Sequence, residues 1–337
     1  MINVNCYKSK NHIFVIAEIG GNHEGDFAYA KELTRLAAES GVDAVKFQIY
    51  TGNTLVNVKQ DQERNKHFKK FELKPQQYIE LAEYCQKLGV MFMASVWDYD
   101  AFEYIDPYIQ IYKVGSGDLT AYNFISRMVK TGKPIILSTG LATLDEVLAS
   151  VKFIGRLDES YLTENKLALL QCTSMYPIPD EDANLNVMHT ILERTGLPVG
   201  YSDHTVGMLA VEVAVSMGAE IIEMHFTDSR EGKQFRDHKV SATKDEIISF
   251  IDKVGRIKTL QGSFEKKPTH SEIKADHRRS FRRAVYPVRD IPKGFLLSEK
   301  DLVTLRPCHG VGAESFYDMC GTKAERDLLK GEKLEYP

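Results

Sequence analysis

The chain of 337 residues is long enough for one large domain and one small one. Its 43% hydrophobic and 27% charged residues are typical of a globular protein, and the net charge of −4 gives no reason to expect nucleic acid or an anionic membrane as a partner. No apolar run is long enough to cross a bilayer, residues 1–6 lack the features of a secretion signal, and five unclustered cysteines favour reduced thiols, so we expect a cytoplasmic protein.

Short apolar runs alternate with amphipathic helical patterns in the first 262 residues. The runs predict eight strands, at residues 13–18, 44–49, 90–95, 109–114, 134–138, 167–172, 198–201 and 220–225. Helices are predicted between them, for example at residues 26–40, 75–88 and 209–218. Eight parallel strands with helical crossovers close a (β/α)8 barrel of typical length. An open doubly wound sheet is the alternative, but the GGNHEG turn after the first strand does not fit the dinucleotide-binding fingerprint.

Three further segments are distinctive. Residues 57–70 carry many charges and few apolar side chains, and we interpret them as a solvated loop rather than a mobile lid. Residues 263–279 are predicted to link a barrel at 1–262 to a small β domain at 280–337. In that domain RDIPKG at 289–294 recurs loosely as RDLLKG at 326–331, which predicts two copies of strand, tight turn and strand.

Polar side chains collect at the predicted C-terminal ends of the strands, the edge where parallel barrels build active sites. Lys46 and Lys113 lie inside apolar strands, so each needs an anionic partner or solvent access. Together with the GSG turn at 115–117 they favour a phosphate-binding site. His204 and His225 follow two successive strands and could share a divalent metal, or they are ordinary rim histidines. Such a combination suits condensation of a phosphorylated nucleophile with a polarised carbonyl.

Seven ordered motifs resemble the sialic acid synthase family, whose members condense phosphoenolpyruvate with an N-acetylmannosamine-type sugar. The motifs are AEIGGNHEG at 17–25, VKFQ at 45–48, KVGSGD at 113–118, LSTG at 137–140, QCTSMYP at 171–177, YSDHT at 201–205 and EMHFT at 223–227. The C-terminal segment resembles the family's antifreeze-like (SAF) domain. The resemblance implies a (β/α)8 TIM barrel followed by a β-clip SAF domain, and a metal-dependent condensation that releases phosphate with C–O cleavage.

The resemblance also implies roles for matching positions. His204 and His225 would bind the metal, Mn²⁺ or Mg²⁺, and would share catalysis with Glu18 and Asp118. These two carboxylates are candidates for sugar binding or for taking a proton from water. A set of lysines and serines would hold phosphoenolpyruvate: Lys46, Ser95, Lys113, Ser116, Ser138, Ser174 and Ser202.

For the sugar, the resemblance implies contacts with Tyr176 and Asp237. It also implies a domain-swapped homodimer in which Arg306 reaches over the barrel of the other subunit. The segment FRDHK at 235–239 is unusual for the family, as is SVWD at 95–98, and both leave the identity of the sugar open. The basic residues of FRDHK would meet a phosphorylated or acidic sugar, or would simply be solvated, which is the favoured interpretation.

Many bacterial relatives carry Asn where this chain has Ser174, and Glu where it has Asp118. Ser and Asp at these two positions also occur within the family. Cys172 lies beside the predicted site and is interpreted as a small buried residue. The acceptor could be N-acetylmannosamine, its 6-phosphate, or a 2,4-diacetamido-trideoxy hexose leading to legionaminic- or pseudaminic-type acids.

Three rival functions are considered. A related barrel enzyme that joins phosphoenolpyruvate to another phosphosugar would lack the antifreeze-like segment. A metal-dependent isomerase or aldolase would use more carboxylate ligands and would have less need of an anion site. A non-catalytic sugar-binding relative is disfavoured because both histidines and both lysines are present.

Overall fold

The computed structural model describes Tyr7, Ser9 and residues 12–336, so residues 1–6, in which no secretion signal is predicted, lie outside the described part. The chain divides into two compact units, one ending at Gly262 and one beginning at Ser263. The strands of the first unit are β1 (Phe14–Glu18), β2 (Ala44–Ile49), β3 (Met91–Val96), β4 (Tyr112–Val114), β5 (Ile135–Ser138), β6 (Leu167–Cys172), β7 (Val199–Asp203) and β8 (Ile221–His225). Its helices are α1 (Phe27–Glu39), α2 (Gly52–Leu55), α3 (Gln62–Lys69), α4 (Pro75–Leu88), α5 (Ala101–Ile105), α6 (Tyr122–Lys130), α7 (Leu144–Leu157), α8 (Ser160–Thr163), α9 (Val187–Thr195), α10 (Leu209–Ser216) and α11 (Lys244–Gln261).

The eight strands form a closed barrel in chain order, with β8 pairing back onto β1, so the predicted (β/α)8 fold is confirmed. Every pair is parallel, and Glu18 at the end of β1 lies opposite Lys46 on one side and His225 on the other. Parallel neighbours need crossover connections, and the crossover helices cover the outside of the barrel. Leu33 of α1 and Leu81 of α4 are fully buried in that outer layer.

The barrel interior changes from apolar to polar along the strands. Successive side chains of a strand point to opposite faces, so every second residue lies inside the barrel. The earlier inward positions form one apolar cluster that includes Phe14, Ile16, Ala44, Met93, Ile111, Ile136, Ala168, Leu170 and Ile221. The same alternation, continued to the C-terminal ends, makes a polar layer of Glu18, Lys46, Ser95, Lys113, Ser138, Cys172, Ser202, Glu223 and His225, all buried.

Two local predictions were wrong. Strand β4 begins at Tyr112 rather than at residue 109, because Asp106–Tyr108 form a turn of 3-10 helix. The segment predicted as a plain loop, 57–70, contains α3. Asp61 caps this helix by accepting a 2.9 Å hydrogen bond from the Arg64 backbone N–H, a local signal that the high charge of the segment concealed.

The second unit contains helices α12 (His270–Lys274), α13 (His277–Phe281) and α14 (Phe316–Met319) and the antiparallel strands β9 (Ala284–Pro287) and β10 (Leu302–Leu305). Helices α12 and α13 lie in or next to the segment predicted as a linker, and their residues are exposed. The apolar core of this unit comprises Val285, Ile291, Leu297, Leu302, Val311, Met319, Ala324, Leu328 and Leu334.

The two RDxxKG copies of the second unit pair with each other, rather than forming two separate hairpins as predicted. Ile291 and Leu328 exchange two backbone hydrogen bonds of 2.8 Å. The first copy's Lys293 backbone N–H donates to the Asp327 carboxylate at 2.7 Å, and Lys330 donates in the same way to Asp290 at 2.8 Å. The pairing is therefore close to two-fold symmetric.

The structure also describes the helices and four of the cysteine thiols of the chain. Within residues 12–336 and the two earlier described positions, no helix is long and apolar enough to cross a membrane. The four described cysteines are free thiols: Cys85, Cys172, Cys308 and Cys320.

Candidate active site

Two lysines and two carboxylates form a buried charged cluster in the polar layer. The Lys46 ammonium contacts a carboxylate oxygen of Glu18 and lies 3.7 Å from Glu223 Oε2. Lys113 Nζ lies 3.5 Å from Glu223 Oε1, which also accepts a 2.9 Å hydrogen bond from Ser202 Oγ. The formal charges of the four groups cancel, which offsets part of the free energy needed to remove them from water.

Glu223 is the member of this cluster to which the sequence analysis assigned no role. It lies two residues before His225 on β8, so both side chains point into the barrel. Lys46 and Lys113 each need an anionic partner or solvent access. The alternation of β8, which places Glu223 on the same face as His225, could have identified Glu223 as that partner.

The pKa values of the two carboxyls move in opposite directions. Burial raises the pKa of Glu18 to about 7, against the opposing field of Lys46. Burial would also raise the pKa of Glu223, but Lys113 and Lys46 outweigh it and lower this pKa to about 2. Glu18 can therefore exchange a proton near neutral pH, whereas Glu223 stays a carboxylate.

Hydroxyl groups line one side of the cluster. Lys113 Nζ donates to Ser138 Oγ at 2.6 Å, and Lys46 Nζ donates to Ser95 Oγ at 3.3 Å. The Gly140 backbone N–H donates to Ser116 Oγ at 3.0 Å. A side chain at Gly140 would collide with two hydroxyls, since its Cβ would lie 2.7 Å from both Ser116 Oγ and Ser174 Oγ. The predicted serines and lysines are thus brought together at the ends of β2–β7.

The two predicted metal-binding histidines are neighbours, with ring centroids 5.4 Å apart. His204 Nδ1 lies 2.7 Å from the Thr173 carbonyl oxygen, which fixes the proton on Nδ1 and leaves Nε2 as the nitrogen with a lone pair. His225 Nδ1 is buried and has no hydrogen-bond partner among the described residues. The Tyr176 ring packs on both imidazoles, with centroids 4.0 Å from His204 and 5.4 Å from His225.

The histidine pair fits a divalent metal. Metal-binding histidines usually donate their other ring N–H to a carbonyl or carboxylate, as His204 does, and ligate in the neutral form. Burial lowers the pKa of His225 well below its ordinary value, so its ring is neutral. Among the described residues no group of three or more His, Cys, Asp or Glu side chains could hold a metal, so further ligands would have to be water or substrate.

Asp118 lies in a 3-10 turn, Ser116–Asp118, at the end of β4. Burial raises the pKa of Asp118, against the opposing effects of the Trp97 indole and Lys113. The indole Nε1 of Trp97 is buried beside the Asp118 carboxylate and acts on its pKa as a hydrogen-bond donor. Trp97, unusual in sequence for the family, is therefore a partner of Asp118 at this side of the site.

The predicted sugar contacts lie on the other side of the histidines. Asp237 is buried in the 3-10 turn Arg236–Val240, and its Oδ1 lies 3.2 Å from Arg236 Nε. Burial raises the pKa of Asp237, while Arg236 and His204 act to lower it. The Arg236 guanidinium lies 4.8 Å from the Tyr176 ring centroid, so Arg236, Tyr176 and His204 form a stack.

Of the other basic residues of the FRDHK segment, His238 does not face the predicted acceptor as a free cation. His238 is 1% exposed, and both of its ring nitrogens have partners, Thr227 Oγ1 at 2.7 Å and Glu24 Oε1 at 3.2 Å. Lys239 is exposed. Arg306 belongs to the second unit, where it is exposed and its guanidinium lies 5.4 Å from the Phe281 ring centroid. Its role in a partner's site stays a prediction.

Comparison with known protein families gives matches to both units. The NeuB family matches residues 33–266, and the SAF domain matches residues 282–336. The chain belongs to the NeuB family. Members of this family are enzymes that condense phosphoenolpyruvate with an amino sugar, and its sialic acid synthases are metal-dependent.

Three similar proteins illustrate the range of this NeuB family. An uncharacterized protein of Methanocaldococcus jannaschii is 37% identical, over 93% of this chain and 90% of its own length. The N,N'-diacetyllegionaminic acid synthase of Legionella pneumophila is 35% identical, over 95% of this chain and 93% of its own. The solved structure of the N-acetylneuraminic acid synthetase of Leptospira borgpetersenii has a TM-score of 0.73 and 30% identity, covering 80% of this chain and 92% of its own.

Proposed function

We propose that this NeuB-family chain condenses phosphoenolpyruvate with a 2-acetamido sugar to form a nonulosonic, sialic-type acid and inorganic phosphate. The observation that carries the proposal is that two lysines, several hydroxyls and a pair of histidines able to bind a metal lie together at the C-terminal end of one barrel. The acceptor is N-acetylmannosamine or a related sugar. A 2,4-diacetamido-trideoxy hexose is the alternative, and the similarity to the Legionella synthase favours it.

Phosphoenolpyruvate would lie against Lys46 and Lys113, with its phosphate and carboxylate groups received by the surrounding set of hydroxyls: Ser95, Ser116, Ser138, Ser174 and Ser202. The two lysines cannot stabilise the positive charge that develops on the enol. Their contribution is to hold the anion in line with the acceptor, and orientation of this kind is worth up to about 7–11 kcal/mol in favourable model reactions.

The fit of His204 and His225 supports a resident Mn²⁺ or Mg²⁺ ion held by these two side chains. When bound, the ion would polarise the aldehyde oxygen of the acceptor and stabilise the negative charge that develops there. Tyr176 packs on both rings and, with Asp237, would orient the sugar beside them.

The reaction requires a carbon–carbon bond and a carbon–oxygen bond from water to form, and the carbon–oxygen bond to phosphate to break. The enol carbon attacks the aldehyde carbon, which leaves a cation at the adjacent carbon that bears the phosphate. Water adds to that carbon and gives one proton to Glu18, whose raised pKa suits it to the task. Phosphate then leaves with its bridging oxygen and the remaining proton of the added water, which leaves a ketone, and the former aldehyde oxygen takes up the proton released through Glu18 to become a hydroxyl. Asp118 is the second candidate for this base, and its pKa is also raised.

The experiment that tests the function measures phosphate release from phosphoenolpyruvate with Mn²⁺, Mg²⁺ or a chelator. The acceptors are N-acetylmannosamine, its 6-phosphate and a 2,4-diacetamido-trideoxy hexose. We expect release that requires both an acetamido sugar and a metal. We expect His225→Ala to weaken Mn²⁺ binding by at least about 100-fold, since loss of a group that only supports a ligand already costs up to about that much. Electron paramagnetic resonance measures the binding of Mn²⁺. The exposed His189→Ala is the matched control.

Metal-independent release, or no release with any acceptor, would refute the proposal. Retention of Mn²⁺ affinity in His225→Ala would refute the metal site alone.

We also propose that Arg306 completes the site of the other subunit in a domain-swapped homodimer. Mixing inactive Arg306→Ala and His225→Ala proteins should then restore activity, because hybrid dimers contain one intact site. A monomer in light scattering, or no recovery on mixing, would exclude this arrangement.

A further inference from the structure

His238 has no role in the chemistry described above, yet it is one of the most enclosed polar side chains of the first unit, at 1% exposure. Its Nδ1 lies 2.7 Å from Thr227 Oγ1, just beyond β8, and its Nε2 lies 3.2 Å from Glu24 Oε1, in the turn that follows β1. One imidazole therefore connects two loops at the C-terminal edge of the barrel. It also holds a third segment, the turn Arg236–Val240, because it is the central residue of that turn.

The protonation state of His238 is consistent with two hydrogen bonds. Burial lowers its pKa, so the ring is neutral and carries one proton. With that proton on Nε2, the ring donates to the Glu24 carboxylate, and Nδ1 and the Ser229 carbonyl oxygen share the Thr227 hydroxyl as donor. Glu24 has a φ of 51°, a conformation that side-chain-bearing residues adopt only at a free-energy cost, and the contact with His238 helps to hold it there.

The residue preceding His238 is Asp237, the proposed sugar contact. Its carboxylate pairs with the exposed Arg236 at 3.2 Å, a surface partner, so its position depends on the backbone. That backbone is anchored on both sides. The Asp237 carbonyl accepts a 2.7 Å hydrogen bond from Ser241 Oγ, which accepts a 2.8 Å bond from Asn22 Nδ2, and His238 anchors the following position.

We propose that His238 is a positioning residue for acceptor binding: it holds Asp237 at the edge of the site by fastening its turn to Glu24 and Thr227. This proposal rests on the proposed function, which supplies the acceptor. His238 itself does not touch substrate, and its two hydrogen-bond partners, Glu24 and Thr227, are not among the residues proposed to hold phosphoenolpyruvate. Its loss should therefore weaken use of the sugar without affecting phosphoenolpyruvate.

The test compares His238→Phe, which keeps a ring but loses both hydrogen bonds, with His238→Gln, whose amide can still donate to Glu24. In steady-state assays His238→Phe should raise KM for the acceptor about tenfold, as expected for loss of two modest hydrogen bonds, and leave KM for phosphoenolpyruvate within about twofold. His238→Gln should recover part of the loss. Thr227→Val should shift the acceptor KM in the same direction, and the exposed His189→Asn should change neither constant.

A double-mutant cycle distinguishes positioning from a general structural role. In an Asp237→Asn background, His238→Phe should add little to the acceptor KM, because both changes act through one group. Additive effects, or equal rises in both KM values, would overturn the proposal.

A second measurement is independent of turnover, so that failure of the proposed function is distinguishable from failure of this inference. Hydrogen exchange in His238→Phe should accelerate at residues 22–25 and 236–242 and stay unchanged across β2–β6. Unchanged exchange at both segments would show that His238 does not hold the turn.

Discussion

Glu223 Oε1 lies 3.5 Å from Lys113 Nζ, and the other oxygen of the same carboxylate lies 3.7 Å from Lys46 Nζ. One carboxylate thus stands between the two cations proposed to receive phosphoenolpyruvate. An anionic substrate must share these lysines with Glu223 or displace the contacts. Glu223 therefore opposes the lowering of the Lys113 pKa that burial causes, helps to raise the pKa of Lys46, and orients both lysines before substrate arrives.

The first prediction concerns Glu223→Gln, which keeps the hydrogen-bond acceptor for Ser202 but removes the charge. Lys113 then loses its carboxylate partner, and the free energy of unfolding in urea should fall by about 3 kcal/mol. Inorganic phosphate should stabilise this variant more than the wild-type protein, because an anion restores the missing charge. The exposed Glu80→Gln serves as the control and should change neither quantity. Equal stabilisation of variant and wild type by phosphate would contradict the argument.

The second prediction concerns the pH dependence of catalysis. Because burial raises the pKa of Glu18 to about 7, this base is protonated in mildly acidic solution. The ratio kcat/KM should fall below about pH 7, and Glu18→Gln should lower it by about 10²- to 10⁴-fold and abolish that acid limb. If kcat/KM instead fell only near pH 4, or still fell near pH 7 in Glu18→Gln, the base that accepts the proton would be another group such as Asp118.

The raised pKa of Glu18 also makes the free energy of unfolding depend on pH. The direction of this dependence is opposite to that caused by the lowered pKa of Glu223. The folded protein holds the Glu18 proton to higher pH than the unfolded chain, so this residue's contribution to stability is lost as pH rises from 4.5 to about 7. The lowered pKa of Glu223 contributes stability above pH 4.5 that is lost as pH falls toward 2. In urea unfolding, Glu18→Gln should remove the first dependence and keep the second.

The third prediction uses two glycines that differ in their surroundings. At Gly200 in β7 an added Cβ would collide with the Ile221 carbonyl oxygen and approach Leu170 Cδ2 at 2.7 Å, so Gly200→Ala should destabilise the barrel by at least about 2 kcal/mol. At Gly255 in α11 nothing lies within 4 Å of the added atom, and Gly255→Ala should stabilise by about 0.5–1 kcal/mol. Thermal unfolding of both variants measures the two effects, and shifts of the same sign would contradict them.

Much of the barrel could be predicted because its strands are short apolar runs with clear helical patterns between them. Lys46 and Lys113 could be predicted because each is a charged residue inside an apolar strand, and His225 because it ends one. Helix α3 was not predicted, because its capping residue Asp61 stands in a segment whose charges resemble a solvated loop.

The parts of the site that could not be predicted depend on contacts between distant strands. The sequence marks Lys46 and Lys113 as needing anionic partners, but only the closed barrel brings Glu223 between them. His238 was considered as a contact for an acidic sugar, whereas its enclosure by Glu24 and Thr227 depends on a turn more than 200 residues away in the chain. The placement of the Trp97 indole beside Asp118 likewise emerges only from packing.

The mutual pairing of the two RDxxKG copies bears on biosynthesis. Ile291 and Lys293 obtain their partners from Leu328 and Asp327, residues that leave the ribosome more than 30 positions later. The first copy must therefore remain unpaired until the second has been synthesised, whereas the barrel can close once β8 has emerged. A ribosome stalled between the two copies would carry a barrel able to close and a second unit unable to complete its core, which makes that interval the vulnerable stage of translation.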